Sequence, residues 1–112
     1  MALRFGTDGW RGVIADEFTF ANVRLVAQAV ADLLKEGGAK YAPVPIGYDV
    51  RFLGSRFAEG VASVLEGNGL PAYLSDGPVT TPMVSCQVVE AGAPLGVCIT
   101  ASHNPPEYNG FK

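Results

Sequence analysis

Three short apolar runs, each separated from the next by a stretch with helical spacing, constrain this chain more than any other feature. The runs are Val44-Pro45-Ile46-Gly47-Tyr48, Leu70 to Leu74 and Leu95 to Ile99. The third is apolar throughout, the pattern of a central strand covered on both faces. Pro45 lacks an N–H and weakens the first run as an interior strand. Between the runs, Phe57, Val61, Val64 and Leu65 line one side of a helix that Ser55 can cap and Gly67-Asn68-Gly69 stops. A further helix starts at Thr81-Pro82, a capping hydroxyl followed by a proline at the first helical position, and runs to about Glu90. Ahead of all these, Thr19 caps a helix from Phe20 in which Val23, Val26, Ala27, Val30, Leu33 and Leu34 keep helical spacing until Gly37-Gly38.

Strands alternating with helices predict a three-layer α/β domain. Its sheet is mostly parallel or mixed, of about four strands, with helices on both faces. Tyr108-Asn109-Gly110-Phe111-Lys112 begins the remaining strand. The 112 residues are 48% hydrophobic and 17% charged, enough apolar material for a real core and unlike a disordered chain. Trp10 is read as packing against the sheet edge rather than stacking on a sugar.

In open α/β sheets, ligands bind beyond the carboxyl ends of the strands. Asp49 and Arg51 follow the first run, Asp76, Thr80 and Thr81 the second, and Thr100, Ser102, His103 and Asn104 the third. These loops should share one polar rim. The net charge of −3 and the eight scattered basic residues exclude a nucleic-acid surface. No apolar stretch approaches the ~20 residues that span a bilayer, and no signal peptide is visible, so the chain reads as cytoplasmic. Cys86 and Cys98 lack metal-ligand spacing, and Cys98 reads as a core residue.

Thr100-Ala101-Ser102-His103-Asn104-Pro105-Pro106 places a hydroxyl beside the only histidine, just past a buried run. Pro105 and Pro106 stiffen its exit and bias Asn104 toward an extended backbone. Taken alone, a Ser-His pair is compatible with a polar turn, with a hydrolase nucleophile lacking the usual Gly-x-Ser-x-Gly elbow, or with a non-catalytic phosphosugar-binding loop.

That segment, with Tyr108-Asn109-Gly110-Phe111-Lys112 after it, resembles the phosphoserine loop of the α-D-phosphohexomutases, which include phosphoglucomutase, phosphomannomutase and phosphoglucosamine mutase. Phe5-Gly6-Thr7-Asp8-Gly9-Trp10-Arg11-Gly12 resembles the family's opening segment, and Gly47-Tyr48-Asp49-Val50-Arg51 a further marker, in the family's order. The resemblance implies that Ser102 is the phosphorylated serine and that His103 and Lys112 are candidates for proton transfer beside it. It places Arg11, Arg51, Thr100 and Asn104 around the phosphate or substrate, with Asp49 and Arg51 supporting the loop. It implies one Mg²⁺ on the phosphoserine oxygen of Ser102, its other ligands coming from an aspartate-rich loop of a second domain. Residues 1–112 would be the family's first domain, truncated. The remaining domains of the same enzyme would then be its partners, glucose or mannose phosphates its substrates, and the piece alone inactive. A phosphoserine carries nearly two negative charges at neutral pH, so a cation-lined pocket is what such a loop requires.

Overall fold

The computed structural model describes residues 9–37, 43–101 and 104–112, and the chain folds as β1 (Trp10–Val13), α1 (Phe20–Glu36), β2 (Val44–Tyr48), α2 (Gly54–Gly67), β3 (Ala72–Leu74), α3 (Thr81–Ala91), β4 (Val97–Ile99) and β5 (Tyr108–Phe111). The five strands form one mixed sheet in the order β1-β5-β4-β2-β3. Strand β2 pairs in parallel with β3 and β4, whereas β5 runs antiparallel to both β4 and β1. The expectation of a three-layer α/β domain holds, with one strand more than the sequence suggested. The fully apolar run is the central strand: Val97, Cys98 and Ile99 are all buried.

Side-chain alternation along the strands separates the two outer layers. Val44, Ile46, Val97, Ile99, Trp10 and Phe111 face α1 and α2 and form the main core with Val23, Ala27, Phe57, Val61 and Leu65. Trp10 stacks on Phe18 at 4.7 Å, and Phe18 meets Phe57 edge-on at 4.8 Å, so the tryptophan packs inside the domain as expected. The opposite face carries α3. It approaches closely because β2 presents Gly47 there: a Cβ at that position would lie 2.5 Å from methyl carbons of both Val79 and Val84.

Local details explain where elements begin. Thr19 caps α1 as expected, accepting from the Asn22 N–H at 3.1 Å. Helix α2 is not capped by Ser55. Its N-cap is Leu53, at φ 60°, with no side-chain cap, because the turn that closes with Gly54 N–H on the Arg51 carbonyl (3.0 Å) feeds directly into the helix. Helix α3 is capped one residue earlier than expected: Thr80 Oγ1 accepts from Met83 N–H, which leaves Thr81 helical and its hydroxyl available elsewhere. Pro45 is tolerated because Val44 donates toward β3, so by alternation the missing N–H points toward β4, whose ladder with β2 starts only at Ile46 and Val97.

Candidate functional site

The site lies where the carboxyl ends of β2 and β4 meet the start of β5. Asp49 N–H donates to Ile99 O at 3.2 Å, Thr100 N–H to Gly110 O at 2.9 Å, and Gly110 is the register partner of Arg11. Asp49, Thr100, Gly110 and Arg11 therefore form a row across four neighbouring chain segments. Gly110 makes that row possible. A Cβ there would meet Thr100 O at 2.5 Å and Arg11 Cγ at 3.0 Å, so only a bare backbone lets the arginine stem cross toward the loop.

Two guanidinium groups converge on the segment after β4. Arg11 Nη1 donates to Asn104 Oδ1 at 2.8 Å. The Arg11 Nε is buried with no hydrogen-bond partner among the described residues. Arg51 grips the backbone of the same segment: Nη2 donates to Asn104 O at 2.7 Å, and Nη1 to Pro105 O at 2.8 Å and Tyr108 O at 3.0 Å. The segment also folds on itself, with Asn104 N–H on Ala101 O and Tyr108 N–H on Pro105 O, both at 3.0 Å.

Behind the arginines stands the Asp49 carboxylate. Its Oδ1 accepts from Arg51 N–H at 3.0 Å, a turn of the type aspartate forms with its own backbone two residues on. Its Oδ2 accepts the Thr100 hydroxyl at 2.5 Å and lies 3.5 Å from Arg51 Nε. A hollow of ≈ 400 Å³ opens alongside, lined by Asp49, Val50, Arg51, Phe52, Asn104 and Pro106. Val50 and Phe52 are exposed at its mouth.

Of the residues singled out in the sequence, Arg11, Arg51, Thr100 and Asn104 are thus brought together, with the Arg11 guanidinium on the Asn104 side chain. Ser102 and His103 lie outside the described residues, as does Asp8. Lys112 closes the antiparallel pairing with Cys98, its N–H donating to Cys98 O at 3.0 Å and its O accepting from Cys98 N–H at 3.1 Å. The buried Cys98 thiol receives the Thr81 hydroxyl at 3.7 Å. Burial pushes this thiol above its ordinary value, the Thr81 hydroxyl opposes that, Asp49 adds to it and Lys112 opposes it. Of the loop after β3, Asp76 belongs elsewhere: with Ser75, Tyr73, Val79, Met83 and Gln87 it lines a separate ≈ 200 Å³ cavity under α3.

The donor set bears on the expected magnesium. Among the described residues no group of three or more histidine, cysteine, aspartate or glutamate side chains could hold a metal ion. Both Asp49 oxygens are engaged by Thr100 and Arg51. The described residues therefore do not make up a divalent-ion site by themselves. What the arrangement can do chemically is hold a short polar segment rigidly and present arginine to an anion beside it.

A compact α/β/α unit with an arginine-flanked segment beyond its central strand has the layout in which open α/β sheets receive ligands. Comparison with known proteins narrows this: the family described as "Phosphoglucomutase/phosphomannomutase, alpha/beta/alpha domain I" matches residues 2–112, and the chain belongs to that family. It is 41% identical over 113 residues to a phosphoglucomutase of Staphylococcus saprophyticus, covering 98% of this chain and 20% of that protein. A phosphoglucosamine mutase of Prochlorococcus marinus is 34% identical over 108 residues, 96% of this chain and 23% of that protein. A crystal structure from Thermus thermophilus, assigned as a phosphomannomutase, superimposes with a TM-score of 0.93 at 47% identity, over 98% of this chain and 25% of that one. The chain thus spans about a fifth of the length of the curated relatives it matches. Among the described residues, no helix is long and apolar enough to cross a membrane.

Proposed function

We propose that this chain is the phosphoryl-carrying domain of a cytoplasmic phosphohexomutase that interconverts hexose 1-phosphate and hexose 6-phosphate, glucose or mannose being the sugar. In this reading Ser102 carries the phosphoryl group. The phosphoserine gives PO₃ to the free hydroxyl of a hexose monophosphate. The P–O bond to Ser102 breaks as the bond to the sugar oxygen forms, the sugar proton passes to His103 or Lys112, and the departing Ser102 oxygen takes up a proton to become the free hydroxyl. The resulting hexose 1,6-bisphosphate turns round and returns its other phosphoryl group to Ser102, so no net phosphate is consumed.

The observation that carries the reading is the convergence of Arg11 and Arg51, from two separate elements, on the segment flanking Ser102. Phosphoryl transfer depends mainly on positioning and on stabilising spread negative charge. Arg51 holds the segment, Asn104 orients the Arg11 guanidinium, and Arg11 supplies positive charge beside it. Magnesium bound to the phosphoserine would supply electrophilic stabilisation. In this reading its carboxylate ligands come from the remaining domains of the same enzyme, since the described residues offer no group that could hold a metal ion. By itself the chain is therefore expected to turn over no sugar phosphate.

The test is a chimera in which this chain replaces the matching quarter of the Thermus thermophilus protein. Turnover of glucose or mannose 1-phosphate that disappears in Ser102→Ala, and survives Thr81→Val, supports the reading. Turnover that survives Ser102→Ala contradicts it.

A further inference from the structure

We infer that strand β3 is an association edge, on which a second copy of this chain pairs antiparallel across a two-fold axis at Tyr73. Strand β3 stands at the end of the sheet beside β2, with no neighbour on its other side among the described residues. Pro71 O accepts from Val44 N–H and Ser75 N–H donates to Ile46 O, both at 2.9 Å, so residues 71, 73 and 75 turn their backbone groups toward β2. By alternation the N–H and C=O of Ala72 and Leu74 point outward. Pro71 does not blunt this edge, because the N–H it lacks would face β2. No charged residue lies between Glu66 and Asp76. The devices that usually protect an edge strand, charged side chains and an outward proline, are therefore missing here.

A second β3 supplies the matching groups at the matching spacing. Antiparallel pairing centred on Tyr73 sets Ala72 of each copy opposite Leu74 of the other, and each such pair exchanges both of its N–H···O bonds. The two Tyr73 residues become the closely spaced central pair, with Cα atoms about 4.5 Å apart. Ala72 and Leu74 pack against the main core, which leaves the Tyr73 side chain on the α3 face, 58% exposed. There it lines the ≈ 200 Å³ cavity together with Pro45 and with Met83, itself 56% exposed. Two rings brought side by side at the seam remove this apolar surface from water. The uncharged flanks bring no like charges together across the axis, and a two-fold contact closes on itself rather than growing into a fibre. The seam is small beside the roughly 1,200–2,000 Å² of stable interfaces, so the pairing is weak and reversible.

Sedimentation equilibrium of the intact chain tests the pairing, using the parent, Tyr73→Lys, Tyr73→Glu and Leu25→Glu. The parent should pass reversibly from monomer to dimer as its concentration approaches about 1 mM. Tyr73→Lys and Tyr73→Glu each place like charges directly opposite one another and lose the aromatic pair, so each should associate roughly tenfold more weakly. An equimolar mixture of the two sets lysine against glutamate and should associate more tightly than either variant alone. Leu25, 63% exposed on α1, is away from the seam, and Leu25→Glu should match the parent. Hydrogen exchange gives a second readout: the amides of Ala72 and Leu74 should slow as parent concentration rises, while those of Tyr73 and Ser75, already turned toward β2, should not. A parent that stays monomeric throughout, dimers indifferent to both Tyr73 variants, or a mixture no tighter than its components would overturn the inference. So would slowing at Tyr73 and Ser75 without slowing at Ala72 and Leu74.

Discussion

Replacing Arg51 by lysine keeps the charge and the aliphatic stem and removes the fork. In the parent, three carbonyl oxygens are reached from two terminal nitrogens at 2.7 to 3.0 Å, with Nε 3.5 Å from Asp49. A lysine ammonium is a single point and cannot serve Asn104, Pro105 and Tyr108 together. If two of the three contacts are lost at the lower end of the range for charged donors, about 1.5 kcal/mol each, the cost is ~3 kcal/mol. The lower end applies because the hollow beside Arg51 opens to water, which can take over part of the bonding. At roughly 4 °C per kcal/mol for a domain of this size, the midpoint of thermal unfolding should fall by ~12 °C. Arg56→Lys is the control. Arg56 pairs with Glu59 at 3.8 Å with both side chains more than half exposed, and its replacement should change stability by less than about 0.5 kcal/mol. Circular dichroism melts of the two variants decide the matter. An Arg51→Lys midpoint equal to that of Arg56→Lys would refute the argument that the guanidinium fork holds the segment.

Phe57→Ala should cost about 3–5 kcal/mol in urea unfolding, since the ring is 1% exposed and packs against Phe18 and Phe20. Gly47→Ala should lower stability by about 1–3 kcal/mol, through forced displacement of Val79 and Val84, with α3 amides losing protection first. Thiol titration with a disulfide reagent at neutral pH should show fast reaction at exposed Cys86 and slow reaction at buried Cys98. Because the folded Cys98 thiol ionises above its ordinary value of 9.0, its contribution to stability is intact below that pH and is lost as pH rises through the folded value. Unfolding free energies measured across that window should fall more steeply in the parent than in Cys98→Ala.

The parts of the fold carried by periodicity were readable before the structure. The apolar runs at 44–48 and 95–99 became β2 and β4, and Thr19 marked the start of α1. Strand β1 was not foreseen, because four residues containing Gly12 show no usable alternation and owe their strand form to pairing with β5. The caps at Ser55 and Thr81 failed for local reasons that composition does not reveal: a turn whose geometry is set by Asp49, and a second threonine one position earlier. At the site, the residue types after each strand were evident, but their pairing was not. Thr100 reaches Asp49 only because β4 lies beside β2, and the chain order of the elements does not fix that neighbourhood. Likewise the run 108–112 could be read as a strand, but only the register sets Gly110 beneath the Arg11 stem.

The measurement that bears most directly on the central claim is phosphate mapping. The chimera would be incubated with a hexose 1,6-bisphosphate and Mg²⁺, digested, and sequenced by tandem mass spectrometry before and after addition of a hexose monophosphate. One phosphoryl group on Ser102, discharged by the monophosphate, is the predicted result. A turning-over chimera with unmodified Ser102, or with the phosphate on another side chain, would contradict the account.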